Sequence, residues 1–201
     1  MNKIYSLSLL FVLLIAGTNS YAQKVKLLSG KLTVLKSVEN LNLEYDYSKM
    51  GVGKFSNEED YIKTKKADYN KKEEGRGDTW EQSWVADRKN RFEPQFEELF
   101  NKYSGITAGN IPEAKYTLIF KTKFTEPGYN VYVSRRNAEI DGEALLVETA
   151  NPTKVLARLS VLNCQGRTMG GNDYDTGTRL QESYAVAGKG LGKFFKGQLK
   201  K

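Results

Sequence analysis

The chain has 201 residues, with 31 lysines and arginines against 24 aspartates and glutamates, a formal net charge of +7, one cysteine and no histidine. Without histidine there is no Ser-His-Asp or Cys-His hydrolysis on this chain and no His-ligated zinc, and a single cysteine builds neither a Cys-based zinc site nor an intramolecular disulfide. Enzyme chemistry here would fall to carboxylates, Lys, Tyr or Arg, while the positive balance favours anionic partners, blunted by the mixing of both signs along the chain.

Lys3 and the apolar run from Leu9 to Ala16 precede small side chains at Ser20 and Ala22. That pattern predicts a cleavable secretory signal peptide over 1–22, cut after Ala22. The run is shorter than the ~20 apolar residues of a membrane-spanning helix, and no later segment reaches that length. Leu14-Ile15-Ala16-Gly17 approaches a lipoprotein cleavage site, but Thr18 stands where the lipid-bearing cysteine belongs, and no cysteine occurs before Cys164. The expectation is a periplasmic or secreted protein whose working part, 23–201, is one domain with room for a core. Export, more than charge, argues against a nucleic-acid partner.

Residues 24–36 read as a strand bent at Gly30. Over 41–47, Leu41, Leu43, Tyr45 and Tyr47 alternate with polar residues, as a half-buried strand requires. Residues 50–55 read as a loop. Ser56 with Glu59 forms a capping-box pattern opening a polar helix to about Glu74, and Asp78 with Glu81 repeats the pattern after Gly75-Arg76-Gly77. In the second helix Trp80, Trp84, Arg88, Phe92, Phe96 and Phe100 recur every four residues, widened by Val85, Leu99 and Tyr103. This stripe reads as core rather than as an aromatic ligand platform, with Pro94 kinking or dividing the helix. Gly105 ends it.

Alternation over 115–124, the Glu126-Pro127-Gly128 turn and 129–133 predict a hairpin. Asp141-Gly142 marks a turn or bulge, and 144–148 with 155–162 predict a second hairpin closed by 151–154. Cys164 follows an apolar run and reads as a structural thiol. Residues 165–177 read as a loop. A last helix over about 178–198 turns Leu180, Tyr184, Ala187, Leu191 and Phe195 inward and carries a basic stripe of Lys189, Lys193, Lys196 and Lys200. Its glycines would let its backbone approach the sheet. The order predicts an α+β domain: a mixed, mostly antiparallel sheet of about six strands, covered on one face by two to three helices including the C-terminal one.

Within 110–200, three stretches, Ala114–Phe120, Ala150–Leu156 and Tyr184–Leu191, resemble bacterial periplasmic envelope modules. These are of the type in the N-terminal domain of the Tol-Pal translocation protein, the curli secretion lipoprotein and activators of penicillin-binding proteins. The resemblance implies a mixed sheet beside helices and action by protein contact. The chain departs from the lipoprotein members in lacking the lipid-bearing cysteine, and no functional residue carries over.

Gly166–Gly171 superficially resembles a phosphate cradle, but Asn172 and Asp173 stand where a P-loop needs Lys and Ser or Thr. Asn172-Asp173-Tyr174-Asp175 lacks the spacing and terminal Glu of a calcium loop, and Asp173 or Asp175 reads as the cap of the last helix. The reading is therefore an exported, non-catalytic binding or scaffold protein with no cofactor. Its expected partner is another envelope protein or an anionic glycan or lipid surface, contacted through Lys189, Lys193, Lys196 and Lys200. The alternative is a carboxylate-dependent hydrolase of an envelope polysaccharide built on Glu139, Asp141, Glu143 and Glu148, which needs two of them in one pocket at a set separation.

Overall fold

The computed structural model describes residues 23–131, 133–166 and 175–200. The expected signal peptide, the residues of the phosphate-cradle comparison beyond Gly166, and Asn172 and Asp173 lie outside them.

The chain is an α+β domain. In order it forms β1 (Lys24–Gly30), a 3₁₀ turn (Thr33–Leu35), β2 (Asn40–Asp46), β3 (Gly51–Val52), α1 (Glu58–Asn70), α2 (Arg76–Asp87), a π-turn (Arg88–Phe92) and α3 (Glu93–Ser104). It continues with β4 (Thr107–Gly109), β5 (Tyr116–Glu126), β6 (Tyr129–Val131), β7 (Ser134–Arg136), β8 (Ala138–Glu148), β9 (Asn151–Gly166) and α4 (Thr176–Leu199). One sheet has the order β1-β9-β8-β5-β2-β4, with β3 beside the far end of β5, and β6 pairs separately with β7. The β1, β9, β8 and β5 neighbours run antiparallel, whereas β2 lies parallel to both β5 and β4. Parallel neighbours need a long crossover, which α1, α2 and α3 supply.

Alternation sorts the sheet into two faces. Leu41 and Leu43, Leu118 and Phe120, Ile140 and Leu146, and Leu159 and Val161 point to one side and are buried. There they meet Phe96 and Phe100 of α3 and Leu180, Tyr184, Leu191 and Phe195 of α4 in one core. Burying a side chain of this size contributes about 1.5–3 kcal/mol before conformational entropy is charged against it.

Several expectations are corrected. The first strand stops at Gly30, which adopts φ 79° against the Leu156 carbonyl, and Leu32 and Leu35 then plug the core from the 3₁₀ turn. The helix caps shift. Asn57, not Ser56, accepts the Asp60 N–H at 2.9 Å, and α2 begins at Arg76, with Glu81 drawn to Lys66 at 2.8 Å instead of closing a capping box. Residues 129–133 do not return along β5. That place belongs to β8, in register from Tyr116↔Glu148 to Glu126↔Glu139. The second hairpin turns at 149–150, so Asn151 opens β9 rather than sitting in the turn. Val85 leaves the aromatic face and is 45% exposed.

The aromatic stripe explains the break in the long helix. A four-residue repeat gains about 40° per step on a helix of 3.6 residues per turn. Trp84, Phe92, Phe96 and Phe100 are nonetheless all buried. The wider closure of the Arg88–Phe92 π-turn takes back part of that drift, and Pro94, near the start of α3, has no N–H for a regular ladder across the junction.

Candidate functional site

The sheet face opposite the helices carries the groups singled out in the sequence. Glu139, Asp141 and Glu143 alternate along β8 on that face, about 7 Å apart from one to the next. Each has a partner. Gln165 Nε2 donates to Glu139 at 2.8 Å, the Asn163 backbone N–H to Asp141 at 2.7 Å, and the Arg158 guanidinium to Glu143. Glu148, at the far end of the strand and in step with Leu146 on the other face, accepts from Lys154 at 2.7 Å. Registered neighbours form a row of Asp46, Lys121, Glu143, Ser160 and Lys26 across five strands. Lys121 donates to Asp46 at 2.9 Å. Hydrogen bonds from the Ser48 hydroxyl and from Lys121 hold the Asp46 carboxyl well below the usual carboxylate range.

At one end of this face lies a cleft of about 380 Å³, lined by Phe124, Glu126, Arg136, Asn137, Glu139, Asn163 and Gln165. Glu126 and Glu139 stand directly opposite on β5 and β8. Arg136 pairs with Glu126 at 3.2 Å, and the Gly128 N–H donates to the same carboxylate at 3.0 Å. Asn163 occupies the left-handed region at φ 57°, where the β8–β9 register shifts. Bulges of this kind re-aim a side chain.

The lysine row of α4 divides in two. Lys189 and Lys193 hold their ammonium groups 5.3 and 5.2 Å from the centre of the Tyr103 ring on α3. Lys196 and Lys200 are exposed with no ring beneath them among the described residues, whereas Lys193 is exposed over Tyr103 and Lys189 is half-buried. The α4 glycines bring the helix onto α3 rather than onto the sheet, since a Cβ on Gly188 would fall 2.2 Å from the Phe96 carbonyl oxygen.

A second polar cluster was not anticipated. Arg88, the one charged member of the aromatic stripe, donates to both Glu58 oxygens and lies 4.4 Å from the Tyr47 ring centre, while Trp84 Nε1 donates to Glu58 at 2.6 Å. Tyr47 donates to Glu93 at 3.4 Å and Tyr45 to Glu97 at 3.3 Å. Burial pushes the Glu97 carboxyl above its ordinary value. The Tyr45 hydrogen bond pulls it back, and nearby Glu93 raises it again. A groove of about 500 Å³ opens beside Tyr47, Glu58 and Arg88. Arg88 breaking an otherwise aromatic repeat was the available signal for this cluster.

Remaining expectations resolve simply. The Trp and Phe stripe is core, with Trp80 half-buried at its rim. Cys164 is buried, its thiol pushed up to about 12 by burial. Asp175 caps α4, accepting from the N–H groups of Gly177 and Thr178 at 3.1 and 3.2 Å. Among the described residues no cluster of three or more metal-ligating side chains occurs, and no helix is long and apolar enough to cross a membrane.

No protein-family model matches the chain, and no curated protein matches it. Among solved structures it is similar to the PelC dodecamer from Paraburkholderia phytofirmans, with 11% identity and a TM-score of 0.38 over 82% of this chain and 97% of that one. A variant of the same dodecamer gives 11% identity and 0.37 over 83% and 98%. Likeness at this level bears on neither family nor function.

Proposed function

We propose that the chain is an exported, non-catalytic binding or scaffold protein of the bacterial envelope, periplasmic or secreted, acting by contact with another envelope protein or with an anionic glycan or lipid surface. The observation that carries the reading is the state of the acids on the uncovered face. Glu139, Asp141 and Glu143 are each tied to a neighbouring donor, as befits a fixed recognition surface. The signal-like first 22 residues and the resemblance to periplasmic contact modules support the compartment and the mode of action. Lys193 and Lys196 of α4 and Lys200 at its C-terminal cap are exposed to an anionic surface.

A second reading, a carboxylate-dependent hydrolase, is favoured by one observation: Glu126 and Glu139 face each other across the cleft. One experiment separates the two. The chain is expressed in a Gram-negative host, its N-terminus and compartment are determined, and the purified protein is incubated with envelope polysaccharides. The contact reading expects an N-terminus at Gln23, an extracytoplasmic fraction and unaltered polysaccharide. Turnover that disappears in Glu139→Gln would replace it with the hydrolase.

A further inference from the structure

The cleft at the end of β5, β8 and β9 differs in kind from the rest of the uncovered face. Its lining combines three primary amides (Asn137, Asn163, Gln165), two carboxylates, one guanidinium and the Phe124 ring. Several of these planar groups are held in place. Gln165 is fixed on Glu139, Arg136 on Glu126, and the Asn163 backbone on Asp141. The side-chain amides of Asn137 and Asn163 line the cleft without a hydrogen-bond partner among the described residues. Asn163 sits in the left-handed region, which asparagine adopts more readily than other side-chain-bearing residues, at the bulge that turns its side chain toward the cleft.

The lining excludes several ligand classes. Two carboxylates outweigh one guanidinium that is already paired, so the cleft repels anions, opposite in sign to the lysine row of α4. A peptide strand finds little edge to add to, because β5 and β8 are hydrogen-bonded on both sides and, at this end of the sheet, only the short Asn163–Gly166 end of β9 extends past β1. An apolar ligand would find only Phe124. What fits is a neutral molecule dense in hydroxyls with one apolar face, and the volume lies within the ~300–1,000 Å³ of small-molecule sites.

We propose that this cleft binds an uncharged pyranose unit, its hydroxyls bridging Asn137, Asn163, Gln165 and Glu139 and its C–H face resting on Phe124. The proposal goes beyond the anionic-surface and protein contacts of the proposed function by adding an uncharged ligand, and rests on that reading only in taking the chain to be a binding protein.

The test is titration calorimetry of the purified chain with cellotriose, with tri-N-acetylchitotriose and with trigalacturonic acid, followed by mass spectrometry of each sugar. At least one uncharged trisaccharide should bind with Kd on the order of 1 mM or tighter. Trigalacturonic acid should bind about tenfold more weakly, an expectation from like-charge repulsion near Glu126 and Glu139. Asn163→Gly keeps the positive φ while removing the amide, so it should weaken binding about fivefold, the scale of one net hydrogen bond, without lowering Tm. Arg136→Ala serves as a second variant: the exposed guanidinium lines the cleft and has N–H donors beyond those it gives Glu126 for a sugar hydroxyl, so a similar loss is expected. Saturable binding with intact sugar upholds both readings. Binding with cleavage keeps the sugar site and overturns the non-catalytic reading. Absence of saturable binding for both uncharged sugars, or binding that Asn163→Gly and Arg136→Ala both leave untouched, overturns the cleft proposal alone.

Discussion

Gly188 of α4 lies so close to the Phe96 carbonyl of α3 that a methyl group could not be placed between them. A Cβ there would sit 2.2 Å from the oxygen, and one turn on, Gly192 stands in the same relation to the Phe100 carbonyl at 2.7 Å. Gly188→Ala should therefore separate the two helices and loosen the Phe96, Phe100 and Phe195 packing. The expected loss is about 1–3 kcal/mol, the usual range for overpacking. Gly197, on the same helix with nothing within 4 Å of its would-be Cβ, gives the opposite result. Gly197→Ala should gain about 0.5 kcal/mol from helix propensity. Urea unfolding of both variants at unchanged m-value checks the pair, and equal effects would contradict the crossing geometry.

The Glu58–Arg88 pair is only 16% and 20% exposed. Removing one partner strands the other in a poorly solvated place. Glu58→Ala should cost about 3 kcal/mol, and adding Arg88→Ala should cost less than the sum of the two single changes. Because Trp84 loses its acceptor in Glu58→Ala, its fluorescence emission should shift as well. A double-mutant cycle showing simple additivity would mean that the two groups do not share an environment.

Glu97 sets a pH dependence whose sign follows from its raised carboxyl. A folded-state value above the unfolded one means that the native chain holds this proton more tightly. That contribution is complete below the ordinary value of 4.5 and is lost as pH rises through the folded value. Asp46 works the other way. Its depressed value gives stability above the ordinary 3.8, lost as the medium is acidified below that. Glu97→Gln, which keeps an acceptor for Tyr45, should be more stabilising at pH 7 than at pH 4. Tm measured across that interval decides the point, and a gain confined to pH 4 would reverse the assignment.

Cys164 should be inert in the folded protein. Its thiol is buried and its ionisation pushed up to about 12 by that burial, against the hydrogen bond from Gln23 at 3.6 Å. Iodoacetamide at pH 8 should leave native protein unlabelled and modify it fully in denaturant, since the thiolate is the nucleophile. Labelling of native protein at the free-thiol rate would refute a packed thiol.

The two halves of the α4 lysine row should behave differently. Lys196→Gln with Lys200→Gln should together weaken binding to anionic vesicles by roughly 30-fold, at about 1 kcal/mol per lysine near such a surface. Lys189 and Lys193, turned onto Tyr103, should contribute less. Equal losses from both pairs would show the row acting as one patch.

Strands and helices with an apolar face were legible from the sequence because burial enforces the period. Leu41 and Leu43 of β2, and Leu180, Tyr184 and Leu191 of α4, lie inside as their spacing predicts. Pairing was less legible. Tyr129, Val131 and Val133 read as a return strand, yet they are 43%, 55% and 89% exposed. Three residues of ribbon offer too little apolar surface to displace β8, whose eleven residues match β5 in length and carry Ile140 and Leu146 inward. The cleft was legible only in part. Glu139 was singled out, but Glu126, Asn137, Asn163 and Gln165 come together through register and a bulge, which local pattern does not encode. The Glu58–Arg88 pair likewise joins residues 30 apart on different helices.

The seating of β1 on β9 carries a kinetic consequence. Lys24 lies opposite Leu162, and the neighbouring Gln23 donates to the Val186 carbonyl of α4. The earliest strand therefore has no partner until β9 and α4 exist, whereas β5, β8 and β9 can zip together from contacts close in sequence. Closing so long a loop is entropically slow. The Lys24–Gly30 segment should accordingly be the last strand to gain hydrogen-exchange protection during refolding, completing a sheet whose antiparallel middle is already formed.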